Sequence, residues 1–402
     1  MPQKEVKGYT LPPEKYAKAV AFSRAGYRLY FIGFFYNVIL LLLVLRWRLG
    51  PRFRDWAERA SRFRFVQAVI FAPLLFLSLA VAGLPISMYR HELSRKYDLS
   101  VQGWGSWIGD QAKSELVALV VGSIVVWILY GVIRRSARRW WFYFWLAMLP
   151  IIFVLVFLSP LVIDPLFNKF EPLEKTQPAL VAALERVVQR AGMNIPPERM
   201  FLMKASAKTK AINAYVTGVG ASKRVVVWDT TIADMTTPET VFVFGHEMGH
   251  YVLGHVWKGM IFFAAALFVF LYLGYRFLSV LLNRRGAGWS IRGPDDWASL
   301  PALMLLISVF TFLAAPAMNS YVRHYEHEAD IYGLEVTHGL TPDSSEVAAQ
   351  SFQILGEVDL ADPNPSKLIE IWLYSHPPVS ERVAFARSYD PWGKGESPQF
   401  VK

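Results

Sequence analysis

The chain has 402 residues, 54% hydrophobic and only 18% charged, where a soluble domain carries about a quarter charged residues; with 15% aromatics this points to a membrane protein rather than a large soluble core. There is no cysteine, which excludes disulfides and any thiolate metal site, so a metal would have to be held by His, Asp or Glu. Net charge is +10, but the basic residues sit in short loops beside apolar runs and no basic stripe alternates with stacking aromatics, so the charge speaks for a bilayer surface and against nucleic acid as a partner.

Six apolar runs are long enough, or nearly so, to cross a bilayer: 29–45, 66–86, 116–133, 140–163, 260–282 and 300–318. The first is short and interrupted by Asn37. No apolar stretch precedes residue 29, so no cleavable signal peptide is expected. Two polar blocks remain, 164–258 and 319–402. In the first, residues 178–192 have helical spacing, with Leu180, Leu184, Val187 and Val188 on one side and Gly192 as a stop. Residues 200–203 and 224–228 are short β-rich runs with Asn213-Ala214-Tyr215 between them. Thr237-Pro238-Glu239 then predicts a helix start, with Thr237 as N-cap and proline in the first turn. In the second block, residues 321–338 predict a helix ending at Gly339.

The short loops bear on orientation. Residues 46–64 hold seven arginines, 134–139 hold four and 283–294 hold three. Alternation over six spans puts these loops on one side, cytoplasmic by the positive-inside rule, with both polar blocks facing outward. Residues 1–28, with six basic residues on the other side, compete with that assignment.

The chemistry sits in His246-Glu247-Met248-Gly249-His250, which reads H-E-x-x-H. On a helix the two histidines share a face and can bind one zinc ion, with Glu247 placed to act on water as a base. Hydrolysis needs a third protein ligand and an open position. The metzincin pattern would require Gly at 253 and His at 256, but these are Leu253 and Val256. His255 lies about 140° around a continuous helix from His250 and is expected to pack or hydrogen-bond rather than ligate. The H-x-x-E-H pattern is absent. A third option lies in Arg323-His324-Tyr325-Glu326-His327-Glu328-Ala329-Asp330. Glu326 and Asp330 share a helix face, so one can ligate while the other hydrogen-bonds a ligand imidazole. Glu328 would point away as a solvated charge. His324 and His327 form a competing pair with no obvious third ligand.

Together these motifs resemble the type I CAAX prenyl endopeptidases, membrane-embedded zinc metalloproteases of the gluzincin class. The resemblance rests on Leu84-Pro85-Ile86-Ser87; Asp164-Pro165-Leu166-Phe167-Asn168-Lys169-Phe170; Asn213-Ala214-Tyr215; H-E-x-G-H at 246–250 followed by Gly254-His255; Arg323-x-x-Glu326-x-x-Ala329-Asp330; and Ser375-His376-Pro377-Pro378 with Glu381-Arg382. It implies one Zn2+ ion held by His246, His250 and Glu326, Glu247 as general base, Asp330 as support or proton donor, and His376 near the substrate. It implies an edge strand at Asn213-Ala214-Tyr215 that pairs with extended substrate. The implied partners are a peptide or protein substrate, prenylated or membrane-associated, and the lipid bilayer.

The expected fold is mainly α: a polytopic membrane protein with about six transmembrane helices and a protease domain of a small β-sheet plus helices. Residues 1–163 would be an N-terminal membrane region with four spans, and 164–258 the first part of the protease. Residues 259–318 would add two spans, and 319–402 the second part of the protease. The family has seven spans where six are counted here, and its eukaryotic members are implied to work toward the cytosol, opposite to the loop charges. Two other functions compete: a membrane quality-control zinc protease, and a zinc-binding transport or structural protein without turnover. The spans and the 164–170 motif argue against the first. An intact base at Glu247 argues against the second.

Overall fold

A computed structural model describes residues 8–218 and 223–401. Helix α1 (Pro13–Arg46) is followed by a short α2 (Leu49–Ala60) and by α3 (Arg64–Lys96), α4 (Trp104–Arg135) and α5 (Trp140–Val162). The first polar block holds α6 (Asp164–Phe167), β1 (Phe170–Pro172), α7 (Pro178–Arg190), β2 (Met200–Met203), β3 (Ala214–Thr217), β4 (Arg224–Trp228), α8 (Asp229–Asp234) and α9 (Thr237–Val252). Two long helices, α10 (His255–Arg285) and α11 (Leu300–Thr337), lead to α12 (Ser344–Val358), α13 (Lys367–Leu373) and α14 (Val379–Ser388).

Six helices among the described residues are long and apolar enough to span a membrane: α1, α3, α4, α5, α10 and the stretch Trp297–Thr337 that contains α11. They keep large apolar side chains on the outside, such as Ile32, Phe35 and Ile39 on α1 and Ile261, Val269 and Val280 on α10, as a lipid-facing surface must. The short first run is part of a 34-residue helix, and Asn37 donates to Ser308 Oγ at 3.2 Å, tying α1 to α11. An amide inside a bundle that finds a partner helix does not end a span.

The expected breaks at 258 and 318 both fall inside helices, α10 and α11. Helix α11 runs 38 residues without interruption, about 57 Å at 1.5 Å per residue. It therefore crosses the apolar layer and carries the Glu326–Asp330 face into the polar part as one continuous helix.

The sheet has the order β1-β2-β4-β3. Strands β2 and β4 are parallel, and β1 and β3 flank them antiparallel. Strand β3 is thus an edge, as the Asn213-Ala214-Tyr215 motif predicts, although Asn213 itself immediately precedes the strand. Helix α7 buries Leu180, Leu184, Val187 and Val188 as its spacing requires, and Gly192 follows with φ +64°. One apolar core joins α7, the sheet, α9, the end of α11, α12 and α14, and reaches back to Tyr9 and Leu11. A second core lies among α2 to α5, α10 and α11.

The three arginine-rich loops meet at one end. Arg54 Nη1 donates to Asp296 Oδ2 at 2.6 Å, Arg292 Nη1 to Glu58 Oε2 at 2.9 Å, and Arg134 lies 4.2 Å over the Trp297 ring. This end is opposite the H-E-x-x-H motif along the span helices, since α5 leads away from it and α10 returns.

Candidate active site

Helix α9 begins one residue earlier than Thr237-Pro238 predicts. The N-cap is Thr236, and its capping box with Glu239 is complete, the Thr236 backbone N–H donating to Glu239 Oε2 at 2.7 Å. The three-residue spacing of a Thr/Glu box identifies the cap better than the proline does. Proline at the second helical position loses no hydrogen bond.

Glycines then set how close α9 and α11 approach. A Cβ at Gly245 would lie 2.9 Å from Val336 Cγ1, and one at Gly249 3.0 Å from Tyr332 Cβ. From the other side, a Cβ at Gly333 would lie 3.1 Å from the backbone nitrogen of His246. Small residues on both helices let the backbones touch, which brings the carboxylates of α11 within reach of the imidazoles of α9. Gly333 had no signal in the sequence alone, because nothing local to it demands glycine.

His246 Nε2 and His250 Nε2 lie 3.2 Å apart. Glu326 Oε2 is 3.3 Å from His246 Nε2, and Glu326 Oε1 is 3.5 Å from His250 Nε2. A tetrahedral zinc with bonds of 2.0–2.1 Å has ligand–ligand edges of about 3.3–3.4 Å, so the three donors are spaced as ligands of one ion would be. Among the described residues this is the one group of three that can hold a metal. Glu326 Oε2 is buried and makes no well-formed hydrogen bond, and a buried carboxylate oxygen left in that condition asks for a cation. His324 and His327 do not compete. His324 is exposed beside Glu328, and His327 packs on the Phe385 ring at 4.5 Å.

Around these donors the electrostatics are acidic. Asp330 Oδ1 lies 2.8 Å from His246 Nδ1, on the far side of the ring from Glu326. Burial lowers the His246 pKa, but Asp330 and Glu326 raise it further, to about 10. The pocket therefore pulls positive charge into itself. Arg382 answers part of this demand: its Nε and Nη2 donate to the two oxygens of Asp330 at 2.9 and 2.6 Å. Burial lowers the Arg382 pKa, yet Asp330 holds it above its ordinary value. Burial also pushes the Glu247 carboxyl up, against the downward pull of His246 and His250.

Glu247, His246, Asn213, His376 and Arg382 line one cleft of about 100 Å³, with Phe242, Phe352 and Leu355 as its apolar wall. His376 Nε2 sits 3.1 Å from Glu326 Oε2. The Asn213-Ala214-Tyr215 motif divides. Only Asn213 lines the cleft; Ala214 is buried in the core, and Tyr215 hydrogen-bonds Asp164 Oδ2 at 3.3 Å. Arg382 is the residue the sequence reading passed over. Glu381-Arg382 stands beside the Ser375-His376-Pro377-Pro378 motif, but nothing local pairs Arg382 with Asp330, 52 residues away.

Two expectations need correction. The 140° argument for His255 assumed a continuous helix, but α9 stops at Val252 and Gly254 turns the chain with φ +72°. His255 therefore opens α10 and folds back, its Nδ1 3.1 Å from His250 Nδ1. It hydrogen-bonds, as expected, but to the site. Glu328 is not a solvated charge: its Oε2 lies 3.0 Å from His255 Nε2.

Comparison with known proteins gives the family. The model of peptidase family M48 matches residues 174–390, and that of the CAAX prenyl protease N-terminal region, described as five membrane helices, matches 2–169. Four of the candidate spans fall in the latter range, α2 being too short to cross. An uncharacterized metalloprotease, YhfN of Bacillus subtilis, is 35% identical over 94% of this chain and 86% of its own length. The human CAAX prenyl protease 1 homolog is 26% identical over 84% of this chain and 77% of its own. The crystal structure of S. mikatae Ste24p superposes with a TM-score of 0.81 at 24% identity, covering 97% of this chain and 92% of that one, and so shares the fold. By the extent of these matches the chain belongs to peptidase family M48 and is a multi-pass membrane metalloprotease.

Proposed function

We propose that His246, His250 and Glu326 hold a single zinc ion, and that the protein is an endopeptidase acting on membrane-associated protein chains, prenylated C-terminal segments among them. The observation that carries this reading is the set of 3.2, 3.3 and 3.5 Å separations among the three donors. When bound, zinc polarises the scissile carbonyl and makes water acidic enough to ionise near neutral pH.

The residues supply the rest. Glu247 takes the proton of the attacking water and returns it to the leaving amine, a task for which a carboxyl raised by burial is suited. Asp330 Oδ1, 2.8 Å from His246 Nδ1, favours the His246 tautomer that carries its proton there, which leaves Nε2 free to ligate. His376, half-exposed at the cleft, is placed to donate to the oxygen of the carbonyl under attack. The backbone edge of β3, next to Asn213, offers an extended substrate a strand to pair with. The protease unit in this reading is built from both polar blocks, 164–258 and 319–402, on either side of the α10–α11 hairpin.

Support for a lipidated substrate comes from an open cavity of about 830 Å³ lined by Phe34, Ile307, Phe312, Val322 and Trp372. Val322 stands one helical turn before Glu326, and Trp372 four residues before His376. An apolar chain lying there would have its peptide beside the donors. The purified protein, incubated with farnesylated and unprenylated forms of one peptide, should cleave the first at least about tenfold faster. A methylene contributes about 0.8 kcal/mol on burial, so even two buried methylenes would account for that ratio. A zinc chelator should abolish both activities. Cleavage of an unfolded membrane protein with none of the farnesylated peptide would give the site to a quality-control protease instead. Bound zinc without any hydrolysis would overturn the enzyme mechanism.

A further inference from the structure

The two imidazoles of the site are held from behind in different ways. His246 Nδ1 meets a carboxylate, Asp330, which is clamped by Arg382. His250 Nδ1 meets a second imidazole, His255, at 3.1 Å, and His255 Nε2 meets Glu328 Oε2 at 3.0 Å. The proton positions in this second chain follow from one requirement. If His250 presents the lone pair of Nε2 toward the metal, its proton is on Nδ1 and is donated to His255. His255 must then accept with Nδ1 and carry its own proton on Nε2, where Glu328 is ready to receive it. Glu328, an acceptor at 3.0 Å, thus selects the His255 tautomer, and that tautomer selects the one His250 needs.

The packing holds this chain in register. His255 is 5% exposed, and its ring stacks on Tyr325, centroids 4.5 Å apart and planes 30° from parallel. The Tyr325 hydroxyl donates to Tyr321, which in turn donates to the backbone carbonyl of Lys258. The left-handed Gly254 lets His255 return against His250 only five residues later. His255 opens one long membrane helix and Glu328 lies on the next, so the relay ties the membrane hairpin to the site.

We propose that His255 and Glu328 are positioning residues for His250, a hydrogen-bond relay that sets its tautomer and ring orientation for metal binding. This rests on the reading of His250 as a zinc ligand. The test is the zinc affinity of the full-length, detergent-purified protein, measured by competition with a chromophoric chelator. His255→Phe keeps the stack on Tyr325 but cannot accept a hydrogen bond, and should weaken zinc binding about 10- to 100-fold. His255→Gln can accept from His250 and donate to Glu328, and should recover most of that loss. Glu328→Gln should weaken binding in the same direction as His255→Phe and by less. Wild-type affinity in His255→Phe, or in Glu328→Gln should the former fail to fold, overturns the relay. His246→Ala serves as the control: if it too binds one equivalent with wild-type affinity, the zinc site itself is misassigned, a failure separate from that of the relay.

Discussion

At the arginine-rich end of the bundle, Arg54 and Asp296 are both buried, with side chains 7% and 2% exposed. Both side chains of this pair are fully partnered. Arg54 donates to Asp296, Asp55 and the Ser290 carbonyl, and Asp296 also accepts from the backbone N–H groups of Arg292 and Ala298. At the opposite end, Glu326, Glu247 and Asp330 gather around His246, His250 and His376 with Arg382 behind Asp330, and Glu326 Oε2 is left without a well-formed hydrogen bond. The same ingredients give a closed network in one place and an open one in the other. A closed network holds loops together. An open one stores demand for a cation and substrate, and it is there that local rules of satisfaction are broken for function.

The largest effect expected from this contrast is on turnover. Glu247→Gln keeps the shape of the cleft and the three donors but removes the base. It should bind zinc as the wild type does and lose about 10²- to 10⁴-fold in kcat, the usual share of general acid–base catalysis. Zinc content is read by metal analysis and turnover by peptide cleavage. Peptide cleavage at the wild-type rate would remove Glu247 from the mechanism and erase the distinction between the two ends.

At the closed end the expected effect is on stability alone. Arg54→Ala leaves Asp296 buried without its cation, which costs about 3–5 kcal/mol. Denaturation of the purified protein should show that loss, while zinc stoichiometry and the turnover of the folded fraction stay as in the wild type. A drop in turnover per bound zinc would mean that the two ends are coupled, and the contrast drawn here would fail.

Much of the His246–His250–Glu326 cluster was legible in the sequence because its signals are local. H-E-x-x-H fixes two donors on one helix face, and Glu326 with Asp330 fixes a second face one turn long. Neither needs knowledge of the fold. The capping box of α9 was also readable, and the proline merely drew attention one residue too far along. What could not be read were contacts between elements. Arg382 reaches Asp330 across 52 residues, and Gly333 matters only because α9 crosses it. His255 was misjudged for a different reason. Helical arithmetic holds only inside one helix, and Gly254 ends that helix between the two histidines. The same limit explains the apolar runs: their number was clear, but that the last continues through Glu326 as a single helix was not.

Gly254 offers the finest division between the two kinds of region, because the chain contains a matched control. Gly254 and Gly339 share a φ of +72°, and a Cβ at either would meet nothing within 4 Å. Alanine at each position therefore pays the same backbone strain, about 1–2 kcal/mol for an L-residue held in the left-handed region, with no steric penalty on top. Gly339 follows α11, next to His338, whose ring stacks on Trp392 at 3.5 Å, and it touches none of the cleft residues. Gly254 orients His255 behind His250. Denaturation should thus show similar losses for Gly254→Ala and Gly339→Ala, whereas chelator competition should show weakened zinc binding for Gly254→Ala only. Equal zinc affinities in the two variants would mean that the turn at Gly254 is a connection like any other, with no bearing on how His250 is held.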